Sequence, residues 1–153
     1  MKAVPGGADL YDLQRFVTAQ ADIYDRALDE LRGGAKRSHW MWFVFPQIAG
    51  LGLSPTSQRY AIHGLDEAVA YLEHPVLGRR LLTCTEAVIA VDSRSVTEIF
   101  PFPDDLKFRS SMTLYCQAAA PGAPFANALA RYFHGEPDPM TIDLLQRPDA
   151  GAA

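Results

Sequence analysis

The stretch LQRFVTAQADIYDRALDEL, residues 13–31, repeats mostly apolar side chains at spacings of three and four. This spacing places one set of residues on a single face of an α-helix. The set comprises Leu13, Phe16, Val17, Gln20, Tyr24, Ala27, Leu28 and Leu31. Asp9 can cap the start of such a helix and Gly33-Gly34 can end it. The pattern predicts one helix from about Leu10 to Leu31.

Helical signals continue through the rest of the chain, and no segment alternates strand and helix patterns. Ser95 to Glu98 form a capping box in front of a one-turn helix. Periodicity and capping residues predict five further helices, over residues 54–62, 65–72, 75–91, 104–116 and 124–133. We therefore predict a compact, mainly α single domain of about six to seven helices over residues 10–147. Residues 1–9 are expected to form a flexible arm and residues 148–153 a disordered tail.

The aromatic run WMWFVF, Trp40 to Phe45, fits two local structures. Its β-propensity favours a minor strand. A buried helical turn is an equal alternative, because periodicity does not discriminate over so few residues. Phe45 is expected to be extended because it precedes Pro46.

The composition bounds the class of protein. A hydrophobic share of 48% and a charged share of 21% in 153 residues are typical of one globular domain. The net charge of −4 disfavours a broad electrostatic contact with duplex nucleic acid. Trp40 to Phe45, the longest apolar run, is too short to span a membrane, and no secretory signal is visible. We therefore expect a cytoplasmic protein without membrane contact.

Cysteine usage predicts no metal site. Cys84 and Cys116 lie far apart in helical patterns, and no second pair offers the spacing of zinc ligands. Both are expected to be small buried hydrophobic residues. We predict neither a metal nor a cofactor.

One polar block surrounds the aromatic run. Lys36 and His39 precede it and Gln47 follows it, so Trp40 or Trp42 could stack a base or a nicotinamide ring while the polar groups donate to phosphate. The alternative is that both tryptophans anchor the core and Lys36 is solvated. Glu30, which lies off the stripe of the first helix, is expected to face solvent.

A second polar block lies on the 104–116 helix. Lys107, Ser110 and Ser111 follow each other at i, i+3 and i+4 and so share one face, with Asp104 a turn earlier. Hydroxyls and a lysine on one helix face are typical of phosphate or ribose binding. The alternative is that the serine hydroxyls bond back to carbonyls one turn earlier.

Two further residues carry a functional and a structural interpretation. Glu67 is either a buried carboxylate or a favourable charge in the first turn of a helix. His74, before Pro75 at a helix junction, is a cap, a core hydrogen-bonding group or an acid–base group.

Three blocks, HWMWFVFPQIAGLG (39–52), AYLEHPVLGRRL (70–81) and DDLKFRSSMTLY (104–115), closely resemble an uncharacterised bacterial family, the domain of unknown function eighteen-ten. Its members are often labelled calpastatin-like, although nothing in this chain resembles a disordered calpain inhibitor. The resemblance implies a mainly helical single domain and supplies no activity.

A weaker similarity links the chain to NADAR domains, on the helix that bears Glu67-Ala68, the turn from His74 to Arg79 and the later helix of Lys107. NADAR domains are small helical proteins that act as N-glycosidases on NAD-derived and ADP-ribose substrates. That similarity implies Glu67 and Asp104 as catalytic carboxylates, one of them stabilising an oxocarbenium-like transition state or activating water. It further implies phosphate binding by lysines and serines and base stacking by a tryptophan, which involves Lys36, Lys107, Ser110, Ser111 and Trp40 or Trp42.

These observations lead to one functional hypothesis with alternatives. We predict a protein that binds a phosphorylated or nucleotide ligand of the ADP-ribose type, and in its finer form a hydrolase that cleaves an N-glycosidic bond. The alternatives are a non-catalytic ligand- or protein-binding module, and a homodimer whose Trp40–Phe45 segment lies at the interface. The predicted ligand-binding residues are Lys36, His39, Trp40, Trp42, Gln47, His74, Lys107, Ser110 and Ser111. The hypothesis requires the two polar blocks to line a common cleft.

Overall fold

Ten helices make up the part of the chain that the computed structural model describes, residues 9–147. Their bounds are α1 Gln14–Gln20, α2 Tyr24–Arg32, α3 Met41–Val44, α4 Pro55–Arg59, α5 Leu65–Glu73, α6 Leu77–Ile89, α7 Val96–Ile99, α8 Asp104–Ala118, α9 Pro124–Phe133 and α10 Pro139–Gln146. The mainly α class is confirmed, with more helices than the predicted six to seven. The predicted arm, apart from Asp9, and the predicted tail lie outside the described residues.

The first predicted helix is divided into α1 and α2. At the junction the Ala21 N–H donates to the Thr18 carbonyl (3.3 Å) and the Ile23 N–H to the Gln20 carbonyl (3.1 Å), which are tighter turns than those of an α-helix. The Gln20 side chain, almost fully buried, donates to the Phe43 carbonyl (2.6 Å). A continuous stripe predicts a helix face, but it does not reveal this bond to a distant segment.

The Trp40–Phe45 run forms a helical turn, α3, which is the second of its two predicted alternatives, and the minor strand is absent there. Within residues 9–147 the one β-bridge joins Ile48 to Ile62, in the segments on either side of α4. The run turns inward because most of its side chains are buried: Trp40, Met41, Val44 and Phe45 are at most 3% exposed. Packing of large apolar side chains therefore overrides β-propensity here.

Side-chain N-caps start three of the ten helices within residues 9–147, namely α4, α7 and α10. The predicted capping box is present in both halves: the Glu98 N–H donates to Ser95 Oγ (3.1 Å) and the Ser95 N–H to Glu98 Oε1 (2.7 Å). Ser54 caps α4, which ends at Arg59 instead of Ile62. The sequence analysis missed α10, although Asp138-Pro139 carries the cap and first-residue proline that start it.

Helix α8 lies at the centre of the fold, in contact with α5, α7, α9 and α10. Its buried face carries Phe108, whose ring stacks on Phe100 (4.6 Å between centroids) and meets the edge of Phe45 (5.1 Å). Such aromatic packing fixes the rotation of α8 about its axis. As a result Lys107, one residue before Phe108, lies at the surface of the molecule.

Among residues 9–147 no helix is both long enough and apolar enough to cross a lipid bilayer.

Candidate functional site

A cleft of about 250 Å³ brings one residue of the first polar block together with two residues of the second. Gln47 lines it from the connection between α3 and α4, and Lys107 and Ser110 line it from α8. The remaining walls come from Leu51, Gly52, Ser57, Pro103, Leu106, Asp138 and Met140. We call it the α8 cleft.

Gln47 is fixed through its backbone. The Ile62 N–H donates to the Gln47 carbonyl (2.9 Å), and the Ala49 N–H donates to the Ile62 carbonyl (2.7 Å). Its side-chain amide, by contrast, makes no hydrogen bond to any group within residues 9–147. The backbone is therefore held while the amide is left for a ligand or for solvent.

Lys107 joins the cleft to an aromatic side chain. Its Nζ lies 5.1 Å from the centroid of the Trp42 ring, within the range of a cation–π contact. The same Nζ is 3.8 Å from Asp104 Oδ1, longer than a charged hydrogen bond. Lys107 is therefore loosely held and keeps donors for a further partner.

Lys36 and Asp104 form a close ion pair. Lys36 Nζ lies 2.8 Å from Asp104 Oδ2, with 8% of the lysine side chain exposed, and 5.0 Å from the centroid of the Trp40 ring. Lys36 is therefore neither solvated nor free for a phosphate. It neutralises Asp104 and ties the segment before α3 to the start of α8.

Neither of the two serines of α8 offers a free hydroxyl to the cleft. Ser110 Oγ contacts the Leu106 carbonyl (3.1 Å) and Asp138 Oδ2 (3.0 Å), so its one proton is used within the fold. Ser111 is fully buried, does not line the cleft, and its Oγ lacks a hydrogen-bond partner among the described residues. The prediction that both hydroxyls face a ligand with Lys107 is thus corrected, and Ser110 follows the back-bonding alternative.

Trp40 is a core anchor and is not available to stack a base. It is fully buried, and its Nε1 donates to Glu30 Oε1 (2.9 Å). Trp42 is half-buried and remains at the surface beside Lys107. Of the two tryptophans, only Trp42 can contact a ligand.

Glu30 is not the solvated residue that the sequence predicts. Its carboxylate accepts hydrogen bonds from the Arg37 N–H (2.8 Å), from the Ser38 N–H (3.0 Å) and hydroxyl (2.6 Å), and from Trp40. Burial acts to raise the pKa of Glu30, but the bonds from Ser38, Arg37 and Trp40 outweigh it and lower the pKa from 4.5 to about 2. Glu30 thereby holds the segment that carries Lys36.

Glu67, the other predicted catalytic carboxylate, lies elsewhere. It pairs with the buried Arg15 (3.0 Å) and lines a second cleft that shares no residue with the α8 cleft. Asp104 lines neither cleft. Paired carboxylates of glycosidases flank one scissile bond, and the arrangement seen here does not match that requirement.

The two predicted histidines also lie away from the α8 cleft. His74 Nδ1 accepts the N–H groups of Val76 (3.1 Å) and Leu77 (3.2 Å), which is the capping alternative. Burial lowers the pKa of His74 and so favours the neutral ring that this cap needs. His39 is exposed on the surface.

Seven residues that line the cleft were not predicted, among them Asp138, Met140 and Leu51. Asp138 accepts hydrogen bonds from the Thr141 N–H (3.2 Å) and hydroxyl (2.6 Å), and so starts α10, which carries Met140. The Asp-Pro signal could have indicated this helix, but its approach to α8 depends on tertiary packing. Within residues 9–147 no group of three or more His, Cys, Asp or Glu side chains could hold a metal ion.

Comparison with known proteins shows which family the chain belongs to. The family model described as Protein of unknown function (DUF1810) matches residues 10–145. The crystal structure of the conserved hypothetical protein Rv1873 from Mycobacterium tuberculosis is 52% identical, with a TM-score of 0.89 over 91% of this chain and 99% of that one. No curated protein matches the chain, and neither of the two matches supports the likeness to NADAR domains. With the family model covering nearly all of the described residues, the chain belongs to the DUF1810 family.

Proposed function

We propose that the α8 cleft binds a small anionic ligand, a phosphate ester or a carboxylate, that also has an apolar part. The single observation that carries the proposal is the meeting of Gln47 and Lys107, with free hydrogen-bond donors, in one cleft with apolar walls. Ligand sites commonly combine apolar walls with a few convergent polar groups. Leu51, Leu106 and Met140 supply those walls.

The loose pairing of Lys107 supports an anion. Lys36 is the close partner of Asp104 at 2.8 Å, while Lys107 is 3.8 Å away from the same carboxylate. Asp138, the carboxylate that lines the cleft, accepts hydrogen bonds from the hydroxyls of Ser110 (3.0 Å) and Thr141 (2.6 Å). Lys107 therefore keeps donors for an anion. An incoming anion can approach its ammonium at about 2.8 Å, the length of a charge-assisted hydrogen bond.

The size of the cleft limits the ligand. Sites that enclose drug-sized ligands measure roughly 300–1,000 Å³, and the α8 cleft is smaller at about 250 Å³. We therefore propose that the cleft holds a ligand no larger than a mononucleotide, or only one end of an ADP-ribose molecule. Trp42 would lie near the ring of such a ligand. We propose binding without N-glycosidic cleavage, because Glu67 and Asp104 do not line one cleft.

A second candidate function is protein binding at the same place. Leu106 and Met140, which line the cleft, are about half exposed, and the neighbouring Leu53 and Phe102 are 81% and 72% exposed. Exposed apolar residues grouped on a surface are a feature of interaction sites. The homodimer hypothesis based on Trp40–Phe45 is not supported, because most of that segment is buried within one chain.

Calorimetric titration tests the proposal, with inorganic phosphate, AMP and ADP-ribose as probes. We expect saturable binding of at least one probe and a loss of about 10- to 100-fold in affinity in Lys107→Gln, the range for a hydrogen bond to a charged group. Gln47→Leu should weaken binding less, since its amide is neutral. The control is Arg79→Gln, which removes an exposed positive charge outside the cleft.

Two results would contradict the proposal. One is the absence of saturable heat for all three probes up to about 10 mM, a concentration above the weakest affinity expected for a specific site. The other is an equal loss of affinity in Lys107→Gln and Arg79→Gln, which would indicate non-specific attraction.

A further inference from the structure

A second and larger cleft, of about 550 Å³, lies where the starts of α1 and α5 meet the end of α4. This volume falls inside the range of small-molecule sites. The side chains that matter for its chemistry are those of Tyr11, Asp12, Arg15, Arg59, His63 and Glu67. We call it the Arg15 cleft.

The cleft is built around one buried guanidinium. Nε, Nη1 and Nη2 of Arg15 make five hydrogen bonds, one of them to Glu67 Oε2 at 3.0 Å. The other four go to the backbone carbonyls of Tyr11, Asp12, Arg59 and Ala61. Arg15 thus has no free donor, and it joins three separate segments of chain into a rigid floor.

Glu67 holds His63 in turn. Its Oε1 accepts the backbone N–H of His63 (3.0 Å) and lies 3.4 Å from the Nδ1 of the same residue. A carboxylate beside Nδ1 favours the tautomer with its proton on that nitrogen, which leaves Nε2 as an acceptor. The His63 side chain is 59% exposed, whereas that of Glu67 is 3% exposed, so the histidine is the accessible member of the pair.

The charges that remain point to the class of ligand. Arg15 and Glu67 neutralise each other, and the exposed Arg59 uses Nε for a long bond to the Tyr60 hydroxyl (3.4 Å). Within residues 9–147 its two terminal nitrogens make no hydrogen bond, so they are donors for an anion. Asp12 and His63 Nε2 add acceptors, which suit hydroxyl groups.

We propose that the Arg15 cleft is a second ligand site, for a small anion that also carries hydroxyl groups. Arg59 binds the anionic group, and His63, oriented through Nδ1 by Glu67, accepts a hydrogen bond from a hydroxyl at Nε2. A polyol phosphate and a hydroxy acid both have this chemistry. Glu67 is a positioning residue, since it acts through His63.

Hydrogen phosphate and sulfate are matched probes for this arrangement. Both are tetrahedral anions, but near neutral pH only phosphate keeps a proton that it can donate to Nε2. We expect phosphate to shift the His63 ring resonances in NMR titrations with about tenfold higher affinity than sulfate, the effect of one hydrogen bond to a charged partner. In the variants, the backbone amide resonances of residues that line the Arg15 cleft report binding. His63→Ala should bind both anions equally, and Arg59→Gln should bind both about tenfold more weakly.

Controls separate this site from the α8 cleft. His39→Ala, a change at another exposed histidine, and Lys107→Gln should leave the phosphate preference unchanged. Nitrogen shifts of the His63 ring in the free protein report the tautomer directly, without a ligand.

The proposal is overturned if wild type binds phosphate and sulfate equally, if His63→Ala keeps the preference, or if Arg59→Gln binds as wild type. An Nε2–H tautomer in the free protein would contradict the role of Glu67. Loss of the response in Lys107→Gln would assign it to the α8 cleft instead.

Discussion

Replacing Glu30 with Gln tests how the segment in front of α3 is held. The substitution keeps the size of the side chain and most of its acceptor capacity, but it removes the charge to which Arg37, Ser38 and Trp40 donate. Hydrogen bonds to a charged acceptor are stronger than those to a neutral one. The variant should therefore fold and be less stable at neutral pH.

The lowered pKa of Glu30 sets the size of this effect. A fall from 4.5 in the unfolded chain to about 2 in the folded one is worth at most about 3 kcal/mol, at 1.36 kcal/mol for each pKa unit. Because the carboxylate is only half-buried, solvent screening reduces our expectation to about 2 kcal/mol. The group is more acidic when folded, so this stability is complete above pH 4.5 and disappears as the pH falls towards 2.

Urea unfolding followed by tryptophan fluorescence measures the difference between wild type and Glu30→Gln. We expect about 2 kcal/mol near pH 7 and less than half of that near pH 3, because protons then bind the unfolded carboxylate first. Glu86→Gln, at an exposed position of α6, is the control and should change stability by less than about 0.5 kcal/mol. An equal loss for Glu30→Gln at both pH values would refute the role assigned to its charge.

Three further predictions concern the core. Gly78→Ala places a Cβ against the Leu72 carbonyl oxygen, so we expect a loss of about 3 kcal/mol in stability. A melting temperature within a few degrees of wild type would contradict the close contact. Tyr115→Phe removes a buried hydroxyl that has no hydrogen-bond partner among residues 9–147. The free energy of unfolding should therefore stay equal or rise by about 1 kcal/mol. A clear loss of stability in urea unfolding would show that the hydroxyl has a partner. Burial raises the pKa of Cys84 to about 12, which disfavours its reactive thiolate. A thiol reagent near pH 8 should therefore modify Cys116 alone in the native protein. Two fast-reacting thiols would contradict this prediction.

The helical class followed from local signals. The Ser95–Glu98 capping box and the proline at the start of α9 act within one turn, and both were predicted. The Asp138-Pro139 signal of α10 is equally local and was missed. At the break after Gln20, by contrast, the Gln20 side chain bonds to Phe43, more than twenty residues away. Neither helical spacing nor β-propensity contains information about such a partner.

In the candidate site, too, the sequence predicted some residues, and tertiary contacts decided the others. Gln47 of the first polar block and Lys107 of the second line one cleft, whereas Lys36 and His39 do not. Residue type alone could not tell Trp42, at the surface, from Trp40, in the core. Nor could it separate Ser110, engaged with Asp138, from a hydroxyl that is free for a ligand.

The arrangement of charges around Asp104 bears on the proposal of an anion site in an acidic protein. The chain carries a net charge of −4, so long-range attraction works against anions. At short range Lys36 is buried against Asp104, while Lys107 is half-buried and 3.8 Å from the same carboxylate. Glu30 accepts hydrogen bonds from Arg37 and Ser38 and so fixes the segment that carries Lys36. The proposal of an anion site in the α8 cleft therefore depends on Asp104 binding Lys36 more closely than Lys107.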